Sequence, residues 1–354
     1  MQNVQYTVPR RSSLWPLVLL AILVVGGLYL VKWNPYFTKA FLAAAHHSLG
    51  PSIVNGSGTH APSPSWQSAW AYSLAYYKAV WQAVLLGLVL GAGVQALLPG
   101  DWLARLLGKE TFGSTALAAV AAIPSMMCTC CTAPIAVGMR ERRVSTSAAL
   151  AYWIGNPMLN PATIVFMGFV LGWAWSALRI VTALVMVFGI SYLAARLSPE
   201  KQVSAGPQAG ALPVLPLDEG NPLTRFITIF GRLSLRLVPE YVVIVLALGA
   251  ARAWLFPLMS PSIGHSLILG IWLAIAGTLF VIPTAGEIPI VQVLMSYGLG
   301  PFGAGALLAT LPAVSLPSLV MIARSFALRT LIMVTLAVAV LGILSGAAAL
   351  LLGL

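Results

Sequence analysis

All three cysteines of this 354-residue chain fall within four positions, at Cys128, Cys130 and Cys131, beside Met126 and Met127 and between Pro124 and Pro134. Thiolates and thioethers are soft donors. They suit Cu(I) and other thiophilic species, a three-coordinate trivalent arsenical among them, and are poor partners for Mg or Ca. In extended backbone Cys128 and Cys130 point the same way, whereas in a helical turn Cys128 and Cys131 share a face, so either geometry offers two thiols to one ligand. The competing use is packing, since buried cysteine behaves as a small apolar residue and small residues favour close helix crossings.

Glu287 is the only acidic residue between Glu240 and the end of the chain. A carboxylate at bilayer depth costs roughly 2.5–3.5 kcal/mol on insertion scales unless it faces a wet or paired site. That makes it the candidate for a proton- or cation-coupling group, with a protonated carboxyl capping freed backbone as the alternative. Asn156 and Asn160 each precede a proline, and Thr284, Thr310 and Ser315 lie near later prolines. Short polar side chains there satisfy carbonyls that proline releases, or orient a solute. The expected substrate-binding set is Cys128, Cys130, Cys131, Asn156, Asn160, Thr284 and Ser315, with Glu287 coupling an ion.

The elements that must position these residues are apolar. Hydrophobic residues make up 59% of the chain and charged ones 8%, with a mean hydropathy of +0.93, against roughly 25% charged in soluble domains. This excludes a soluble enzyme and predicts an all-α polytopic membrane protein. A net charge of +11 then reports basic cytoplasmic loops and anionic headgroups rather than nucleic acid. Three cysteines are too few for a disulfide framework. The chain carries no Walker motif, dinucleotide glycine fingerprint or HExxH, so no enzymatic activity and no cofactor is expected.

Arg10 and Arg11 precede the first apolar run, Leu14 to Val31, and place the N-terminus in the cytoplasm. Residues 1–78 read as this helix and an external loop from Lys32, carrying His46, His47 and His60 and ending in an aromatic belt of Trp66, Trp70, Tyr72, Tyr76, Tyr77 and Trp81. Residues 79–197 form a first transmembrane repeat and 198–222 a cytoplasmic linker. Residues 223–354 form a second repeat, entered by a basic amphipathic helix with Arg225, Arg232 and Arg236.

The apolar stretch from Ser114 to Met139 ends on Arg140, Glu141, Arg142 and Arg143, which a single crossing would leave outside; a re-entrant hairpin broken at its prolines keeps them inside. The halves then match: each has Ile-Pro, a polar break, Pro-Ile, a short turn and a second break with two prolines, Pro157 and Pro161 in one, Pro312 and Pro317 in the other. One half enters from outside and the other from inside. The expected architecture is two inverted-topology repeats with broken, re-entrant hairpin helices, about eight full spans plus two hairpins, the pattern of secondary transporters with a site near the midplane.

At Ile123 to Pro134, in IPTAGEIPIVQVLM from Ile282, and in SLPSLVMIA from Ser315, the sequence resembles the predicted-permease family that contains the YraQ-type proteins and, more distantly, the ArsP-type organoarsenical efflux permeases. The resemblance covers roughly Ala79 to Ala195 and Arg232 to Leu352. Cys128-Thr129-Cys130 stands where members usually carry a Cys-Ser-Cys-type signature, and Ser318 where they usually have an acidic residue. The resemblance implies an inner-membrane permease, with export of thiol-reactive metalloid compounds in one branch. The leading expectation is a secondary transporter effluxing a small thiophilic solute, such as a trivalent organoarsenical or soft metal species, through a cavity between two broken hairpins. A channel-like or complex-forming membrane subunit, and a membrane thiol oxidoreductase cycling Cys128 and Cys131, are the alternatives. A homodimer or a partner subunit is left open.

Overall fold

The computed structural model describes residues 15–55, 61–197, 221–256 and 264–354, and every regular element in them is helical. Arg10, Arg11, His60 and nearly all of the 198–222 linker lie outside them. Helix is what an apolar chain in lipid must form, because each backbone N–H and C=O then finds its partner within the segment. Among the described residues six helices are long and apolar enough to cross a membrane. They are α1 (Trp15–His46), α2 (Trp66–Leu97), α8 (Trp173–Ala194), α9 (Pro222–Leu255), the pair α12 (Pro301–Ala313) and α13 (Leu316–Ile322), and α14 (Leu328–Leu351). The remaining helices are shorter: α3 (Gly100–Leu107), α4 (Phe112–Ala122), α5 (Thr129–Glu141), α6 (Thr146–Met158), α7 (Pro161–Val170), α10 (Leu267–Leu279) and α11 (Glu287–Ser296).

Prolines stand at the interruptions, but not every proline interrupts: Pro134, expected to break the first hairpin, lies inside α5, and Pro239 lies inside α9. Helix α4 tightens into a 3₁₀ turn at Ile123–Ser125, the chain turns at Met126 with φ +50°, and α5 restarts at Thr129. Helix α10 ends before Phe280, the chain turns at Ala285 with φ +65°, and α11 restarts at Glu287. Each left-handed residue sits two positions after the proline of an Ile-Pro pair and carries a steric penalty of roughly 1–2 kcal/mol, which surrounding contacts must offset. The later breaks are gentler: Asn160 caps α7 and Ser315 caps α13 (Leu316–Ile322), each followed by a proline in the first turn.

Small residues bring the backbones together. Helix α2 runs between α5 and α9, and its Gly87 and Gly91 face the α5 backbone at Cys131 and Pro134; a methyl at Gly91 would lie 2.6 Å from the Pro134 carbonyl oxygen. This spacing of small residues is the common route to close crossings in membranes. Glu110 fixes the start of α6, its carboxylate accepting from the backbone N–H of Thr146 at 2.6 Å and of Ser147 at 3.1 Å.

Two expectations are corrected. The loop expected from Lys32 is helix as far as His46, passing through a π-helical turn at Tyr29–Trp33, and Lys32 is buried. A lone lysine after an apolar run reads as a membrane boundary, but here it has partners inside the protein. Tyr72 and Tyr76 are not on an outer belt. They are buried between α2 and its neighbours, the Tyr72 hydroxyl donating to the Val281 carbonyl and the Tyr76 hydroxyl lying 2.5 Å from that of Tyr241. Trp66, Trp70 and Trp81 of the same stretch are exposed, as expected.

Candidate functional site

The breaks meet around one narrow void of about 10 Å³, room for roughly one water molecule. Its lining includes Cys128 and Thr129 at the start of α5, Thr163 in the first turn of α7, Thr284 and Glu287 at the start of α11, and Ser315 before α13. Four helices thus begin at the same place, and a helix start presents unpaired N–H groups and the positive end of its dipole.

The cysteines divide. Cys128 is the N-cap of α5, and its sulfur lies 2.8 Å from that of Cys131, one turn on, so the helical alternative holds for that pair. Cys130 turns the other way and meets the Ser315 hydroxyl at 3.4 Å, while Thr129 meets the same hydroxyl at 3.3 Å. All three are buried and free. Ser318 supports Ser315 in a capping box, donating its hydroxyl to the Ser315 carbonyl at 2.8 Å and accepting from the Ser315 N–H at 3.2 Å.

Of the expected set, Cys128, Thr284, Ser315 and Glu287 line the void, and Cys130 and Cys131 touch lining residues. Asn156 and Asn160 serve the backbone. Asn156 accepts from the Met127 N–H at 3.4 Å and donates to the Tyr152 carbonyl at 3.0 Å. The Asn160 side-chain oxygen Oδ1 accepts from the N–H groups of Ala162 and Thr163 at 3.0 and 3.3 Å. Thr310 likewise donates to the Ala306 carbonyl within its own helix.

Two residues escaped the sequence reading. Arg179 on α8, with 2% of its surface exposed, pairs with Glu287, itself 1% exposed, at 3.3 Å. It also donates to the carbonyls of Pro157 (2.8 Å), Met158 (3.2 Å) and Leu308 (2.8 Å), tying the second break of the first half to α12. The other Glu287 oxygen has no hydrogen-bond partner among the described residues. Lys32, on α1, donates to the Thr284 hydroxyl at 3.3 Å and the Tyr36 hydroxyl at 3.2 Å, and its neighbour Trp33 donates to the Pro124 carbonyl at 2.7 Å. The available signal was the same for both: a single cation inside an apolar run, which is a functional-site flag in a membrane protein.

A family model described as a predicted permease matches residues 18–152 and 68–350. The UPF0718 protein YraQ of Escherichia coli (strain K12) is 47% identical over 340 residues, covering 95% of each chain. No solved structure matches. With helices of spanning length, breaks converging on one buried site and this match along nearly its whole length, the chain belongs to the predicted-permease family of multi-pass membrane proteins.

Proposed function

We propose that this permease is a secondary transporter of a bacterial-type inner membrane, built from two inverted-topology repeats, that exports a small thiophilic solute such as a trivalent organoarsenical or soft metal species. The observation that carries the reading is the convergence of broken helices from both halves on the void holding Cys128 and Glu287. The reading pairs α2 with α9, α4 and α5 with α10 and α11, α6 and α7 with α12 and α13, and α8 with α14, leaving α3 without a counterpart among the described residues. The correspondence extends to the left-handed Met126 and Ala285, and to Cys128 and Glu287, each four residues after its Ile-Pro proline. Broken helices at matching positions of two halves are where such transporters place their sites.

In this reading each broken pair is a re-entrant hairpin, the N-terminus is cytoplasmic, and the basic turn at Arg140 to Arg143 lies inside. Cys128, Cys130 and Cys131 supply soft donors, Thr284 and Ser315 orient the solute, and Glu287 couples an ion by exchanging Arg179 for that ion. The void is smaller than an organoarsenical, so in this reading the site widens to admit substrate as the two halves rock apart. The test is energised uptake into everted vesicles of trivalent methylarsenical, Cu(I) and small thiols, comparing wild type with a Cys128→Ser/Cys130→Ser/Cys131→Ser variant. Uptake of a soft solute that the variant loses, at equal membrane insertion, is expected. Equal transport by both, or movement of no soft solute, would overturn the reading.

A further inference from the structure

We propose that Cys128 and Cys131 form a two-coordinate site for a soft monovalent metal cation, with Lys32 as the counter-charge of the bound complex. Three observations carry it. The two sulfurs face each other at 2.8 Å and need only spread toward roughly 4 Å, close to two metal–sulfur bonds of about 2.3 Å, to take an ion between them, while Cys130 is diverted to Ser315, and among the described residues no three His, Cys, Asp or Glu side chains stand close enough to hold a metal together. Two thiols without a third ligand do not satisfy Zn, which takes four, but they match a soft d¹⁰ monocation.

The second observation is Lys32. It is buried, at 4% exposure, and its hydrogen-bond partners are two neutral hydroxyls, Tyr36 and Thr284. A buried ammonium without an anion is costly. Glu287 lines the void with Cys128 and Thr284 but is engaged by Arg179. Thr284 links Lys32 and Cys128, since it lines the void beside Cys128 and its hydroxyl accepts from the Lys32 ammonium at 3.3 Å.

Charge then selects the valence. Binding proceeds as M⁺ + Cys128–SH + Cys131–SH → [Cys128–S–M–S–Cys131]⁻ + 2 H⁺: two S–H bonds break, two metal–sulfur bonds form, both protons leave to solvent, and no electron is transferred. The complex carries one negative charge and Lys32 one positive. A divalent ion on the same two thiolates would be neutral and leave Lys32 uncompensated. The inference narrows the thiophilic solute proposed above and rests on that reading for what happens after binding, but not for binding itself.

The experiment is titration of the purified full-length protein in lipid nanodiscs with Ag(I), and with Cu(I) held by a competing chromogenic chelator. One ion per chain and two protons released per ion are expected. Binding is lost in Cys128→Ser and in Cys131→Ser and retained in Cys130→Ser. Lys32→Gln weakens it about tenfold or more, the scale of one charge pair, and Lys32→Arg restores most of the loss. Equal loss in Cys130→Ser, unchanged affinity in a folded Lys32→Gln protein, or preference for Zn(II) over Ag(I) would each overturn the proposal. Tight binding without vesicle uptake would overturn the transporter reading alone; uptake of an organoarsenical by a protein that binds neither Ag(I) nor Cu(I) would overturn this one alone.

Discussion

Replacing Arg179 by methionine removes the cation of a buried ion pair while keeping much of the side-chain volume. In the native protein that guanidinium serves Glu287 at 3.3 Å and three carbonyls, those of Pro157, Met158 and Leu308, at 2.8 to 3.2 Å. Removing one partner of a buried pair costs about 3–5 kcal/mol, because the other is left uncompensated. Carbonyls stripped of their donor add about 1–3 kcal/mol each, less than additively because they share one group, so the total is expected to reach about 5 kcal/mol or more. Glu287→Gln is milder. It too leaves a buried charge without its counter-ion, but its amide oxygen still accepts from Arg179 and the three carbonyls keep their donors, so about 3 kcal/mol, the low end of the buried-pair range, is expected. Arg179→Met/Glu287→Leu recovers part of the loss of Arg179→Met, since no unpaired charge remains. Thermal melting of detergent-purified protein, followed by size-exclusion chromatography, reads the order directly: wild type, then Glu287→Gln, then the double variant, then Arg179→Met. An Arg179→Met protein melting as high as Glu287→Gln would refute the view that Arg179 holds the break together.

Gly91→Leu drives a side chain into the α5 backbone beside the Pro134 carbonyl and is expected to cost about 1–3 kcal/mol, read as a lower Tm and faster maleimide labelling of Cys128. Ala285→Gly relieves the left-handed strain at φ +65° and is expected to raise the Tm, while Ala285→Val lowers it, because a β-branched side chain tolerates that backbone worst. Arg324→Ala removes an ion pair with Glu240 at 2.6 Å whose side chains are 49% and 31% exposed. The expected cost is under about 1 kcal/mol, with no measurable change in melting.

The sequence pattern located the breaks because proline leaves a local mark: Pro124, Pro157, Pro161, Pro283, Pro312 and Pro317 all sit at or beside the interruptions. It also placed the cysteines and Glu287 on those breaks, and four of the eight expected site residues line the void. What it missed depends on long-range pairing. Lys32 and Thr284 are separated by 252 positions, and Arg179 and Glu287 by 108, so nothing local distinguishes these cations from ones at a membrane boundary. The tyrosines failed for a related reason. At the level of pattern an interfacial tyrosine and one buried with its hydroxyl paired are alike, and only the packing of α2 against α9 separates Tyr76 from Trp81.

The Arg179–Glu287 pair also orders the birth of the protein. At roughly 5–20 residues per second, the 108 residues from Arg179 to Glu287 take about 5 to 20 seconds to synthesise. Through that interval α8 has left the ribosome with a guanidinium whose anion does not yet exist. Until then Arg179 can reach only the Pro157 and Met158 carbonyls of its own half, and its set of partners is complete only when the second half brings Glu287 and the Leu308 carbonyl, so that assembly of the two halves and completion of the site are one event.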